Sequence, residues 1–209
     1  MKAGCFHSAD TSSLTFKRKE FLMDNTTRQA YLNGTNANLL IPLRSDIPLL
    51  LKWINDPEVR RFLPARGPIL EKAEEDWFES LARTNTNRVF IIGTETCIPI
   101  GTIGLHSIDW VSRVATFGIM IGEKECWGKG YGAAATQLIL SHAFLEMNLR
   151  KVELDVHAFN ERAQRCYAKC GFVEEGRKKA HLYKDGKHHD TVFMGVFAGN
   201  WRRHFGSLS

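Results

Sequence analysis

Between residues 38 and 198 the chain switches repeatedly between the two spacings that apolar residues adopt in strands and in amphipathic helices. Asn38 to Arg44 is an apolar run that predicts a first strand, with Pro42 suited to an edge or a bulge. Ser45 then reads as a helix N-cap, Pro48 as a first-turn residue, and Leu49, Leu50, Trp53 and Ile54 as the buried stripe, until Asn55-Asp56-Pro57 stops the helix. Glu58 to Phe62 predicts a short turn and Pro64 to Pro68 a loop. Leu70 to Arg83 is acidic and amphipathic, with Ala73, Trp77, Phe78 and Leu81 at helical spacing.

Alternation and β-branched content then predict a meander: Arg88 to Gly93, Ile98 to Leu105 and Val114 to Ile121. Gly101 and Gly104 interrupt the second of these strands, as a bulge or a close backbone approach would require. A helix follows from Tyr131, burying Ala134, Ala135, Leu138, Ile139 and Leu145 and ending near Asn148. Lys151 to Val156 alternates as a strand, and the intervening helix makes a parallel crossover the expected link to the third meander strand. Asn160 caps the next helix and Gly171 ends it. Phe172 to Glu175 reads as a strand, and Ala180–Tyr183 with His189–Phe197 as a hairpin around Asp185-Gly186. The sum is an α+β domain with a mixed sheet and one central parallel junction.

Residues 1–36 lack this periodicity and are expected as a loosely ordered extension, with one helical turn around Phe16, Phe21 and Leu22 and Met23 as a second candidate start. The domain itself is placed at residues 37–200, with 201–209 as a tail that docks Trp201. A length of 209 residues with 44% hydrophobic content suits one core, and no apolar run reaches the roughly 18 to 20 residues of a membrane span. The net charge of +5 favours an anionic ligand, but the basic residues are scattered, which argues against nucleic acid as a partner. Five cysteines with no paired CxxC spacing predict reduced thiols and a cytoplasmic setting. Cys166 and Cys170 share a helix face without a second pair to complete a metal site, so they read as small buried hydrophobes and no metal is expected. His181, His188 and His189 read as hairpin surface.

The chemistry concentrates where the strand ending at Ile121 runs through Trp127-Gly128-Lys129-Gly130-Tyr131-Gly132-Ala133 into a helix. Converging backbone N–H groups, a helix dipole and absent side chains make such a turn an anion cradle, most simply for phosphate. A second motif, Asn160-Glu161-Arg162-Ala163-Gln164-Arg165-Cys166-Tyr167-Ala168-Lys169-Cys170-Gly171-Phe172, follows one strand later.

Together these motifs resemble the GNAT superfamily of N-acetyltransferases, most closely the subgroup of ribosomal-protein N-terminal acetyltransferases and their small-amine relatives, over residues 38 to 198. The resemblance implies the GNAT fold, a mostly antiparallel sheet whose central parallel pair splays apart between flanking helices. It implies acetyl-CoA as cosubstrate, its pyrophosphate on the amides of Gly128, Gly130, Gly132 and Ala133, with Trp127, Lys129, Tyr131, Asn160, Ala163 and Lys169 around it. The pantetheine arm would lie along Ile119, Met120 and Ile121, an amide near Met120 or Ile121 polarising the thioester. Such turns usually begin with Gln or Arg, and Trp127 departs from that pattern. Tyr167 takes the place of the phenol that protonates the departing thiolate. A primary amine is mostly protonated at neutral pH, so a base is also needed; Glu123 is the tentative choice, with Asp109, Asp155, His157 and His106 also open. The acceptor would be a protein N-terminus or a small amine such as an amino sugar, aminoglycoside or polyamine; Glu71, Glu74, Glu75, Asp76 and Glu79 read first as a solvated helix face, with attraction of a cationic amine as the alternative. A homodimer is consistent with the resemblance. The rival reading is an acyl-CoA-binding sensor of the same fold without catalysis.

Overall fold

A computed structural model describes residues 28–64 and 67–206. Among these, eight strands form one sheet in the order β1-β2-β3-β4-β5-β6-β8-β7. The strands are β1 (Ala30–Leu32), β2 (Asn38–Leu40), β3 (Arg88–Gly93), β4 (Pro99–Asp109), β5 (Val114–Ile121), β6 (Lys151–His157), β7 (Val173–Lys184) and β8 (Lys187–Phe197). The helices are α1 (Ile47–Asn55), α2 (Pro57–Arg60), α3 (Glu71–Leu81), α4 (Tyr131–Ser141), α5 (Glu161–Lys169) and α6 (Ala198–Phe205). All strand pairs are antiparallel except β5 with β6, the parallel junction expected of a strand, crossover helix and strand.

The meander β3-β4-β5 follows the alternation in sequence, and the close backbone approach expected at Gly101 is real. A Cβ there would stand 2.1 Å from the Met120 carbonyl oxygen, so only glycine lets β4 and β5 meet at this point. Val152, Leu154 and Val156 of β6 pack with Ile139 and Leu140 of α4 and Phe172 in the main core. Leu40, Leu50, Trp53 and Ile91 form a second, smaller cluster beneath α1.

Several elements depart from the expectations. The sheet starts at Ala30, inside the segment expected to be loosely ordered; the helical turn expected around Phe16 to Leu22 lies outside the described residues. The strand expected over Asn38 to Arg44 is β2, which stops at Leu40, before Pro42. Ser45 does not cap α1. A short 3-10 turn, Arg44–Asp46, precedes the helix, and the buried Asp46 carboxylate accepts from Leu43 N (2.8 Å) while paired with Arg28 (2.7 Å). On α3 the inward stripe is Glu74, Trp77, Phe78 and Leu81, so Ala73 faces out and Glu74 is buried. Helix α4 widens into a π-turn at His142–Glu146, which advances the register, burying His142, Ala143 and Phe144 and exposing Leu145. The strand expected at Phe172 to Glu175 and the first hairpin arm are one continuous, twice-bulged β7, closed on β8 by a two-residue turn with positive φ at Asp185 and Gly186. The expected tail is helix α6, which seats Trp201 against Phe144, its indole donating to Gln137 (2.9 Å).

Candidate active site

The parallel pairing of β5 and β6 holds only from Val114–Lys151 to Thr116–Glu153. Beyond it the strands part: β5 stays on β4 as far as Gly101–Ile121, and β6 stays on β8 as far as His157–Thr191. The gap is the mouth of a cavity of about 560 Å³. Its two long walls are Phe117 to Ile121 and Leu154 to His157; Trp127, Gly128, Gly130, Gly132 and Ala133 close one end, and α5 with the Phe62–Pro64 loop closes the rest.

The glycine end has the form of an anion cradle. Gly128 and Gly130 have φ of 76° and 91°, the left-handed region, and nothing lies within 4 Å of where their Cβ atoms would be. Gly130 is the N-cap of α4, so the first amides of that helix lack partners within it and are free to meet an acceptor. Across the cavity Asn160 caps α5, its Oδ1 accepting from Ala163 N (3.3 Å). A second helix N-terminus thus meets the same space.

Tyr167 lies deeper, edge-on to Phe117 (5.8 Å) and against Phe172 (5.9 Å). Burial, with smaller contributions from Cys166, Asp155 and Cys170, drives its phenol well above the ordinary value of 10, so it holds its proton. No hydrogen-bond partner occupies its hydroxyl among the described residues, although the side chain faces the cavity.

The base candidates separate by environment. Glu123 is outside the cavity lining and ties α1 to the end of β5, accepting from Lys52 Nζ (2.7 Å) and Trp53 Nε1 (2.8 Å). Burial pushes this carboxyl up, but the two donors outweigh it and hold it below its ordinary 4.5. Asp109 folds its own turn, accepting from Val111 N, Ser112 N and Ser112 Oγ. His106 is tucked against the glycines of β4 and β5, 2.9 Å from where a Gly104 Cβ would be. Asp155 and His157 do line the cavity, two residues apart on one face of β6. His157 is 8% exposed, and neither ring nitrogen has a hydrogen-bond partner among the described residues. Burial lowers its pKa from 6.5; Lys184 of β7 and His189 of β8 act the same way, while Asp155 and the Leu63 carbonyl oppose. The imidazole is therefore neutral at pH 7 and a proton acceptor.

Of the other residues expected around the cofactor, Ile119, Met120, Ile121, Ala163 and Lys169 line the cavity, whereas Lys129 is exposed and outside that lining and Tyr131 packs against the core edge. Phe62, Leu63 and Pro64, from an irregular loop without periodicity, line the cavity as well. Lys184 near the tip of the β7–β8 hairpin holds that loop in place, donating to the carbonyls of Arg60 (2.9 Å) and Leu63 (3.0 Å). Arg162 was visible in the second motif, but no spacing rule marks an arginine in a first helical turn as facing a cavity.

The glycine cradle at a helix N-terminus, the splayed parallel pair and the phenol between them form one continuous site. Residues 39–173 match the acetyltransferase (GNAT) domain, and the chain belongs to that family. Over 101 residues it is 37% identical to "Putative ribosomal N-acetyltransferase YdaF" of Bacillus subtilis, covering 48% of this chain and 55% of that protein, so the chain spans little more than half of that relative. Over 127 residues it is 29% identical to a Vibrio cholerae spermidine N(1)-acetyltransferase, covering 61% of this chain and 73% of the other. The fold matches the crystal structure of spermidine N-acetyltransferase from Vibrio cholerae in complex with CoA and spermine, with a TM-score of 0.76 and 24% identity, over 80% of this chain and 99% of that one.

Proposed function

We propose that the protein transfers acetyl from acetyl-CoA directly to a primary amine, both substrates being bound together. The observation that carries this reading is the gap between β5 and β6, which runs from the glycine turn to Tyr167. Amides at the start of α4 would hold the pyrophosphate and the β5 edge the pantetheine arm. An amine entering past Leu63, beside His157, loses its proton to the Asp155 and His157 side of β6 and attacks the thioester carbonyl. Tyr167 then protonates the departing thiolate. This reading moves the base from Glu123, whose carboxylate is already engaged, to groups that share the cavity with Tyr167.

The acceptor follows from the charge of the lining. Asp155 is its only carboxylate among the described residues, against Arg162, Arg165 and Lys169. A polyamine with several ammonium groups needs several carboxylates, whereas one amine needs one. The acceptor we infer is therefore a singly charged primary amine, such as a peptide N-terminus or a mono-amine. The test is release of CoA thiol from acetyl-CoA across a panel of peptides, amino sugars, aminoglycosides and polyamines. Turnover greatest on monocationic amines is the expected result. Tight acetyl-CoA binding with no thiol released on any amine would overturn the catalytic reading, and a clear preference for spermine would overturn the acceptor class.

A further inference from the structure

Trp127 opens the glycine turn with a side chain that cannot itself pair with a phosphate. Its indole N–H is already committed to the Ile121 carbonyl (2.8 Å), and the side chain lines the cavity. On that ring sits the guanidinium of Arg162, 4.3 Å from the ring centroid, with Phe62 on another side at 5.6 Å. Phe62 also meets Trp127 edge-on, at 6.1 Å and 77°, so the three side chains form one packed unit at the glycine end of the cavity.

Two features make Arg162 a cation in want of an anion. The neighbouring carboxylate on its own helix, Glu161, pairs with Arg165 (3.1 Å), and no acidic group lies within ion-pair distance of Arg162 among the described residues. Arg162 also occupies the first turn of α5, where the helix dipole disfavours positive charge. Stacking on Trp127 sets the exposed guanidinium over the ring face while leaving its N–H donors available. It lines the same cavity as Gly128 and Gly130.

We propose that Arg162, held by Trp127, clamps the pyrophosphate of the acyl-CoA from the side opposite the α4 amides. The turn thus obtains from α5 the cation that its own first residue does not supply. The inference rests on the acyl-CoA reading of the site, and the experiment separates the two. Full-length protein and the variants Arg162→Gln, Arg162→Lys and Trp127→Leu are titrated calorimetrically with CoA, 3′-dephospho-CoA and pantetheine, with circular dichroism to check folding. Arg162→Gln should weaken CoA and dephospho-CoA alike by roughly 10- to 100-fold, the range of a lost charge-assisted pair, and leave pantetheine unchanged. Arg162→Lys should recover part of the loss. Trp127→Leu should weaken both nucleotides, and adding Arg162→Gln to it should cost less than it does in the parent, because the two act as a unit.

Unchanged CoA affinity in folded Arg162→Gln would sink the proposal while leaving the acyl-CoA reading intact. Equal weakening of pantetheine would make Arg162 a packing residue, and a loss confined to CoA would assign it to the 3′-phosphate; either result overturns the pyrophosphate clamp. Failure of the parent protein to bind CoA at all would remove the site reading itself.

Discussion

At the scale of single residues, two groups lining the cavity have surroundings that drive them to opposite proton-holding behaviour. Tyr167 keeps its proton because a phenolate would be poorly solvated between Phe117 and Phe172. Tyr167→Phe keeps that packing and removes only the donor, so kcat should fall by roughly 10²- to 10⁴-fold with acetyl-CoA affinity nearly unchanged, as single-turnover rates and titrations would show. His157 is the converse, a buried imidazole kept neutral. Because its folded pKa lies below the unfolded 6.5, the folded state binds fewer protons than the unfolded chain between those two values. Stability should therefore be full above pH 6.5 and decline as pH falls through that window. The urea midpoint should drop between pH 7.5 and 5.5 in the parent and drop less in His157→Gln. If His157 takes the amine's proton, kcat/KM should also lack an acid limb at 6.5 and acquire one below it, with Asp155→Asn showing whether the carboxylate shares the step. Tyr167 and Asn160 were readable in advance because each sits at a fixed offset within a motif. Which of the five base candidates shares the cavity with Tyr167 was not, since only three-dimensional pairing shows that Glu123 and Asp109 are already occupied.

At the scale of elements, the join between β5 and the glycine turn shows why the turn sits where it does. Gly122 lies directly against Trp53 of α1, and a Cβ there would come within 2.0 Å of the indole. Glu123 then accepts from that same indole, so the strand end, the helix and the turn lock together. Gly122→Ala should force Trp53 out of a site where it is 1% exposed, costing about 1–3 kcal/mol as overpacking and lowering Tm by several degrees. Glu123→Gln should be milder and depend on pH. Its carboxyl is held below 4.5, so the stability it adds is present above that value and lost as pH falls through the folded pKa. Parent and variant melting curves should thus differ at pH 7 and converge as pH falls below the folded pKa, with the pH profile of turnover unchanged. Strand and helix identities were legible wherever periodicity was sustained, as in β3, β5 and α5. They were lost where a local irregularity overrode it. The π-turn after α4 shifts every inward position by a residue, and bulges let β7 run through a stretch whose alternation breaks.

At the scale of the whole molecule, the sheet is two well-bonded halves, β1 to β5 and β6 to β7, sharing a seam of three register pairs. Each half keeps its outer ladder right up to the gap, so the open edges of Phe117–Ile121 and Leu154–His157 are held from one side only. The crossover from β5 through α4 to β6 could be foreseen from the length of the connection, whereas the splay was expected from the family resemblance alone and not from the strand's own pattern. Nothing in the alternation of Lys151 to His157 distinguishes paired residues from unpaired ones, because both halves of the strand bury Val152, Leu154 and Val156 against the same helices. A ligand lying in the gap supplies the missing contacts between halves. Acetyl-CoA at 100 times its Kd should stabilise the fold by about 2.7 kcal/mol through mass action alone. Its local signature is more specific: amide hydrogen exchange should slow most at Phe117–Ile121 and Leu154–His157, and at the first turn of α4, while β3 and the outer part of the β7–β8 hairpin change little. Protection spread evenly over all strands would mean that the ligand merely tightens the fold, and protection confined to α4 would place its nucleotide on the cradle with the acyl arm outside the gap. Only the combined pattern corresponds to a thioester delivered between the two half-sheets, where Tyr167 and His157 can both meet it.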